Sequence, residues 1–113
     1  MLIVRESISP KELKKMAEKM YGGLVKAVVD IEKNIMAIDA ELPADEEALL
    51  LDQGSKQENL WGINIYPDNL ETEDWLEFDS MINLRPSQGN KSRSVENKNI
   101  QQKITSIVKK LIK

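Results

Sequence analysis

The stretch LVKAVVDIEKNIMAIDA, residues 24–40, restricts the possible folds more than any other part of the chain. Val25, Ala27, Val29 and Ile31 alternate with Lys26 and Asp30, the period-two spacing of a strand. A return strand, 35–40, apolar except for Asp39, follows after only Glu32, Lys33 and Asn34. Asparagine tolerates the left-handed backbone that a tight turn needs. So short a connection joins antiparallel strands, because a parallel pair needs a crossover of about a dozen residues or more.

The segments on either side extend this frame. Leu2-Ile3-Val4 predicts a short first strand. Ser9 then stands as an N-cap, with Pro10 at the first helical position and Glu12 completing a capping box. Ile8 and Leu13 have the spacing of a hydrophobic staple, and Leu13, Met16, Ala17 and Met20 recur at helical spacing up to Gly22-Gly23. PADEEALLLDQG predicts a second helix, with Pro43 near its start, acids in its first turn and Gly54 after its end. LWGINIYPD predicts a strand with Trp61, Ile63 and Ile65 on one face and Gly62, Asn64 and Tyr66 on the other. After an acidic, turn-rich loop, WLEFDSMINLR alternates again: Leu76, Phe78, Ser80, Ile82 and Leu84 against Glu77, Asp79, Met81, Asn83 and Arg85. Asn97 caps a last helix whose apolar stripe is Ile100, Ile104, Ile107, Val108 and Leu111, with Lys103, Lys109, Lys110 and Lys113 mostly off it. The expected order is β-α-β-β-α-β-β-α. It describes an α+β domain with a mostly antiparallel sheet of about five strands and three helices on one side.

Composition limits the chemistry. At 113 residues the chain is expected to form one domain, 1–113. Without cysteine there is no disulfide scaffold and no thiol nucleophile; without histidine the commonest general base and zinc ligand are missing. No apolar run approaches the roughly 20 residues that cross a bilayer, and the N-terminus lacks a signal-peptide pattern. A cytoplasmic protein without a membrane partner is the expectation. The net charge of −3 conceals a strong segregation: residues 1–39 carry +1, 40–79 carry −11, and 80–113 carry +7. The acidic middle argues against nucleic acid as the partner.

Candidate site residues cluster late in the chain. RPSQGNKSRS places Arg85, Gln88, Asn90, Lys91 and Arg93 around Gly89 between a strand and a helix, a setting in which backbone N–H groups and guanidinium forks hold phosphate or carboxylate. It lacks the P-loop spacing, and a polar loop satisfying its own backbone is the competing reading. Asn64, Asp79, Asn83 and Arg85 are expected on one polar sheet face beside that loop. Glu77 and Asp79, with Arg85, offer an acid/base pair for a hydrolase if that face lines a cleft. Asp45, Glu46 and Glu47 do not make a calcium loop, and Ser55 lacks a nucleophile-base arrangement. No metal is expected and no cofactor is indicated. Trp61 and Trp75 suit either the core or a homodimer interface.

The strings MLIVRESISPKELKKMAEKMYGGLVKAVVDIEKNIMAIDAEL, ADEEALLLDQGSKQENLWGINIYP and WLEFDSMINLRPSQGNKSRSV resemble a family of short archaeal and bacterial proteins known as a domain of unknown function. The resemblance implies a free-standing single domain and carries no activity or residue role. The functional expectation is a non-catalytic binding or interaction module with an anion site near the Arg85–Arg93 loop. The alternative is a small hydrolase using Glu77 or Asp79 with Arg85.

Overall fold

A computed structural model describes residues 1–20 and 22–113. The elements follow the expected order: β1 (Leu2–Val4), α1 (Pro10–Glu18), β2 (Val25–Asp30), β3 (Ile35–Ile38), α2 (Pro43–Asp52), β4 (Leu60–Ile65), β5 (Leu76–Glu77) and α3 (Lys98–Leu111). The five strands form one antiparallel sheet in the order β1-β3-β2-β4-β5. No helix among the described residues is long and apolar enough to cross a membrane.

Local signals place the helices and the hairpin. Ser9 Oγ accepts from the Glu12 N–H at 3.1 Å and also donates to the Glu12 carboxylate at 3.2 Å. α1 stops at Glu18, earlier than the periodicity suggests, because Lys19 and Met20 tighten to bonds with the carbonyls three residues back. Asn97 Oδ1 caps α3, accepting from Asn99 and Ile100. In the hairpin, Asn34 takes the left-handed conformation (φ 58°). The buried Asp30 holds the turn by accepting from the Glu32 and Lys33 N–H groups, and its other oxygen accepts from Ser55 Oγ at 2.6 Å. Ser55 is thus part of a latch between the hairpin and the α2–β4 connection.

Two expectations are corrected. The helices do not all lie on one side. Leu13 and Ala17 of α1 and Ile104, Ile107, Val108 and Leu111 of α3 share a core with Val25, Ala27, Val29, Met36, Ile38, Trp61, Ile63 and Ile65. Leu50 of α2 packs instead with Val28, Ile35, Ala37 and Leu60 on the opposite face. The central strands are apolar on both faces, so both must be covered. Trp61 and Trp75 are buried in the first core rather than offered to a partner.

The second correction concerns WLEFDSMINLR. Only Leu76 and Glu77 pair with β4, opposite Ile65 and Asn64. The chain then bends into a 3-10 turn at Met81–Asn83. Phe78 still packs with the first core, but Ile82 joins the second, Leu84 is exposed, and Asn83 is fully buried. Alternation therefore fails beyond residue 78. Gly62 is the physical reason: a Cβ there would run into the side chains of Ser80 and Ile82. Its absence lets the chain fold over β4 instead of running alongside it.

Candidate functional site

The residues singled out around the loop do meet, in one continuous hydrogen-bond network. Asn83 stands in for a missing strand: its Oδ1 accepts from the Gly62 N–H at 2.8 Å, and its Nδ2 donates to the Gly62 carbonyl at 3.0 Å. That same Nδ2 donates to the Arg93 carbonyl at 2.9 Å. Asn90, also buried, donates to the carbonyls of Asn83, Ser92 and Ser94 and accepts from the Glu96 N–H. Arg85 and Asn90 exchange backbone bonds across a tight turn in which Gly89 takes φ +85°. Asn64 donates to Glu77 Oε1 at 2.7 Å and to the Asp79 carbonyl at 3.2 Å.

The two arginines of this loop have partners, whereas the exposed Lys91 is tied only through its backbone N–H, which donates to the Glu96 carboxylate. Arg85 donates to three backbone carbonyls, those of Ile82, Gln57 and Leu60, and to Gln88 Oε1. Its guanidinium also lies 4.5 Å from the centre of the Trp61 ring, a cation–π geometry. Burial lowers the Arg85 pKa, and the nearby Glu47 carboxylate opposes that shift. Gln88 Nε2 donates to the Glu58 carbonyl. Arg93 Nε contacts Asp79 Oδ1 at 2.8 Å in a half-exposed pair. The segment 80–94 fills the hollow beside the sheet with its own polar groups.

The carboxylates are similarly held. Glu77 Oε1 also accepts from the Tyr66 hydroxyl at 3.2 Å, and burial together with that carboxylate raises the Tyr66 pKa. Beside it is a cleft of about 310 Å³ lined by Tyr66, Asn69, Glu73, Asp74, Leu76 and Glu77. Among the described residues, no group of three or more carboxylates is placed to hold a metal ion.

A different site emerges at the opposite end of the sheet. The register Val4↔Met36 carries the chain leaving β1 towards the hairpin turn, so Arg5 and Glu6 arrive near Asn34. Ile8 then binds the end of α3: its N–H donates to the Leu111 carbonyl at 2.7 Å, and its carbonyl accepts from Lys113 N–H at 3.0 Å. This clasp brings the last turns of α3 against the same corner. A cavity of about 470 Å³ results.

Four cations line it: Arg5, Lys103, Lys110 and Lys113. Asn34 and Ser106 add neutral polar groups and Glu6 a single carboxylate, while Ile107 and Leu111, largely buried in the core, contribute little surface to it. Arg93–Asp79 is the one ion pair found among the described residues, so none of the four cavity cations is paired there. The positive charge at this corner thus exceeds the single carboxylate beside it and is not held in ion pairs.

Residues 2–111 match the family described as "Protein of unknown function (DUF5674)". The chain belongs to the DUF5674 family. The matched span of this DUF5674 protein contains the whole 83–93 network and every cavity residue except Lys113. No curated protein and no solved structure matches the chain.

Residue-by-residue reading misses the cavity for identifiable reasons. Arg5 and Glu6 look like a strand end, and the lysines of α3 look like a solvated face. Two signals were present: the +7 charge of residues 80–113, and the recurrence of Lys103, Ser106, Lys110 and Lys113 along one helical stripe. Neither reveals that β1 and the hairpin turn wall off that stripe.

Proposed function

We propose that this protein is a non-catalytic binding module for a small, multiply charged anion, and that the anion seats in the cavity between the end of β1 and α3. The observation that carries the reading is the cavity's four unpaired cations around about 470 Å³. That volume lies in the range of small-molecule sites, roughly 300–1,000 Å³. The 83–93 loop is the less favoured seat, because Arg85 is committed to backbone carbonyls and Arg93 to Asp79. The hydrolase alternative loses support for the same reason: it needs Arg85 free to face a substrate, and Glu77 already accepts from Asn64 and Tyr66.

Thermal unfolding with phosphate, pyrophosphate and citrate tests the reading. An anion at ten times its Kd stabilises the native state by about 1.4 kcal/mol, on the order of 5 °C in Tm for a domain of this size. The expected result is such a shift in the wild type and in Arg93→Ala, and its loss in the Lys103→Ala/Lys110→Ala double variant. No shift with any of the three anions overturns the proposal. A shift abolished by Arg93→Ala moves the site to the loop.

A further inference from the structure

Four cations would attract any polyanion; the carboxylate among them is what narrows the ligand. Glu6 lines the same cavity as Arg5, Lys103, Lys110 and Lys113, yet it forms no ion pair with them among the described residues. Towards phosphate oxygens alone, Glu6 is a liability, because like charges repel. Towards hydroxyl or amino groups it is an acceptor, and a charge-assisted hydrogen bond is about twice as strong as a neutral one. Asn34 and Ser106 add further donors and acceptors.

We infer that the cavity takes a polyphosphate ester whose organic part carries hydroxyl or amino groups, as a nucleoside polyphosphate does, its phosphates held by the lysines and Arg5 and those groups accepted by Glu6. The inference rests on the anion-binding reading above and adds the organic part of the ligand. Inorganic triphosphate supplies the charge but no such donors. Adenosine supplies donors without the charge.

The test compares ATP, inorganic triphosphate and adenosine, without divalent metal, by calorimetry on the wild type and on Glu6→Ala. Glu6 is exposed and outside regular structure, so its removal leaves the core untouched. In the wild type, ATP is expected to bind about tenfold or more tightly than inorganic triphosphate, with adenosine weakest. Glu6→Ala should shift the two anions in opposite directions: tighter inorganic triphosphate, because a repulsive charge is gone, and weaker ATP, because an acceptor is gone. Equal binding of ATP and inorganic triphosphate to the wild type overturns this inference and leaves the anion cavity standing. A change of both affinities in the same direction in Glu6→Ala also overturns it. Absence of binding by both anions overturns the cavity reading and this inference together.

Discussion

Asn83 performs a task normally given to backbone. β4 has β2 along one edge, and β5 covers only Asn64 and Ile65 on the other. The outward N–H and C=O of Gly62 are paired by the Asn83 side-chain amide, and the Leu60 carbonyl by Arg85. An open edge invites pairing with other chains, and here two side chains close it. Leaving a buried polar group unpaired costs about 1–3 kcal/mol. Asn83→Ala leaves both Gly62 groups without their partner, so it is expected to lower stability by about 3 kcal/mol in urea unfolding, whereas Asn90→Ala should act only through the loop. A loss below about 1 kcal/mol would mean that the chain re-pairs around the substitution. Asparagine is indistinguishable in sequence from a surface residue of a strand, and only its placement opposite a glycine gives it this role.

Among the helices, α2 carries a conflict that the others lack. Glu46 is fully buried; Oε2 accepts from the Ala40 N–H at 3.2 Å, while Oε1 has no partner. Burial pushes its pKa up to about 9, against smaller opposing effects from the Ala40 bond and Lys26 of β2, with Asp39 and Asp45 pushing further upwards. The folded protein thus keeps a proton that the unfolded chain releases near 4.5. Stability from this group is fully present below pH 4.5 and falls as pH rises towards 9, by up to about 1.4 kcal/mol per unit. Glu46→Gln keeps an acceptor for Ala40 and removes the titration. Its stability should therefore decline less than that of the wild type between pH 6 and 9, as measured by urea midpoints at each pH. Parallel profiles would exclude Glu46 as the source. Pro43, the acids of the first turn and Gly54 marked the helix itself; that Glu46 points into the sheet depends on which face α2 covers. The lone Val28 between Ala27 and Val29 was the available hint that both faces are apolar.

At the scale of the whole molecule, charge segregation and topology work together. No lysine or arginine occurs between Lys56 and Arg85, and the seven acids in that interval surround β4, β5 and the turns between them. Lys103 and Lys110 of α3, with Lys113, line a cavity at the other end of the sheet, where Ile8 clasps the end of the helix. A site built from uncompensated surface charge is sensitive to screening, since the Debye length falls from about 10 Å at 0.1 M salt to about 3 Å at 1 M. Anion affinity is therefore expected to drop about tenfold between 0.05 and 0.5 M sodium chloride, by calorimetry, with little change in the stability of the ligand-free protein. Salt-independent affinity would point to contacts other than these cations.

By itself the sequence determined what depends on neighbours in the chain. Periodicity and caps set the three helices, the hairpin and its Asn34 turn, and the antiparallel α+β class, because such signals act over a few residues. Tertiary structure alone decided how far β5 runs, which face receives α2, and which charges stand together. Those outcomes turn on residues distant in sequence coming together: Gly62 with Ser80 and Ile82, Asn83 with Gly62, and Arg5 lining one cavity with Lys110. Burial and charge proximity are properties of the packed chain, and no local spacing encodes them.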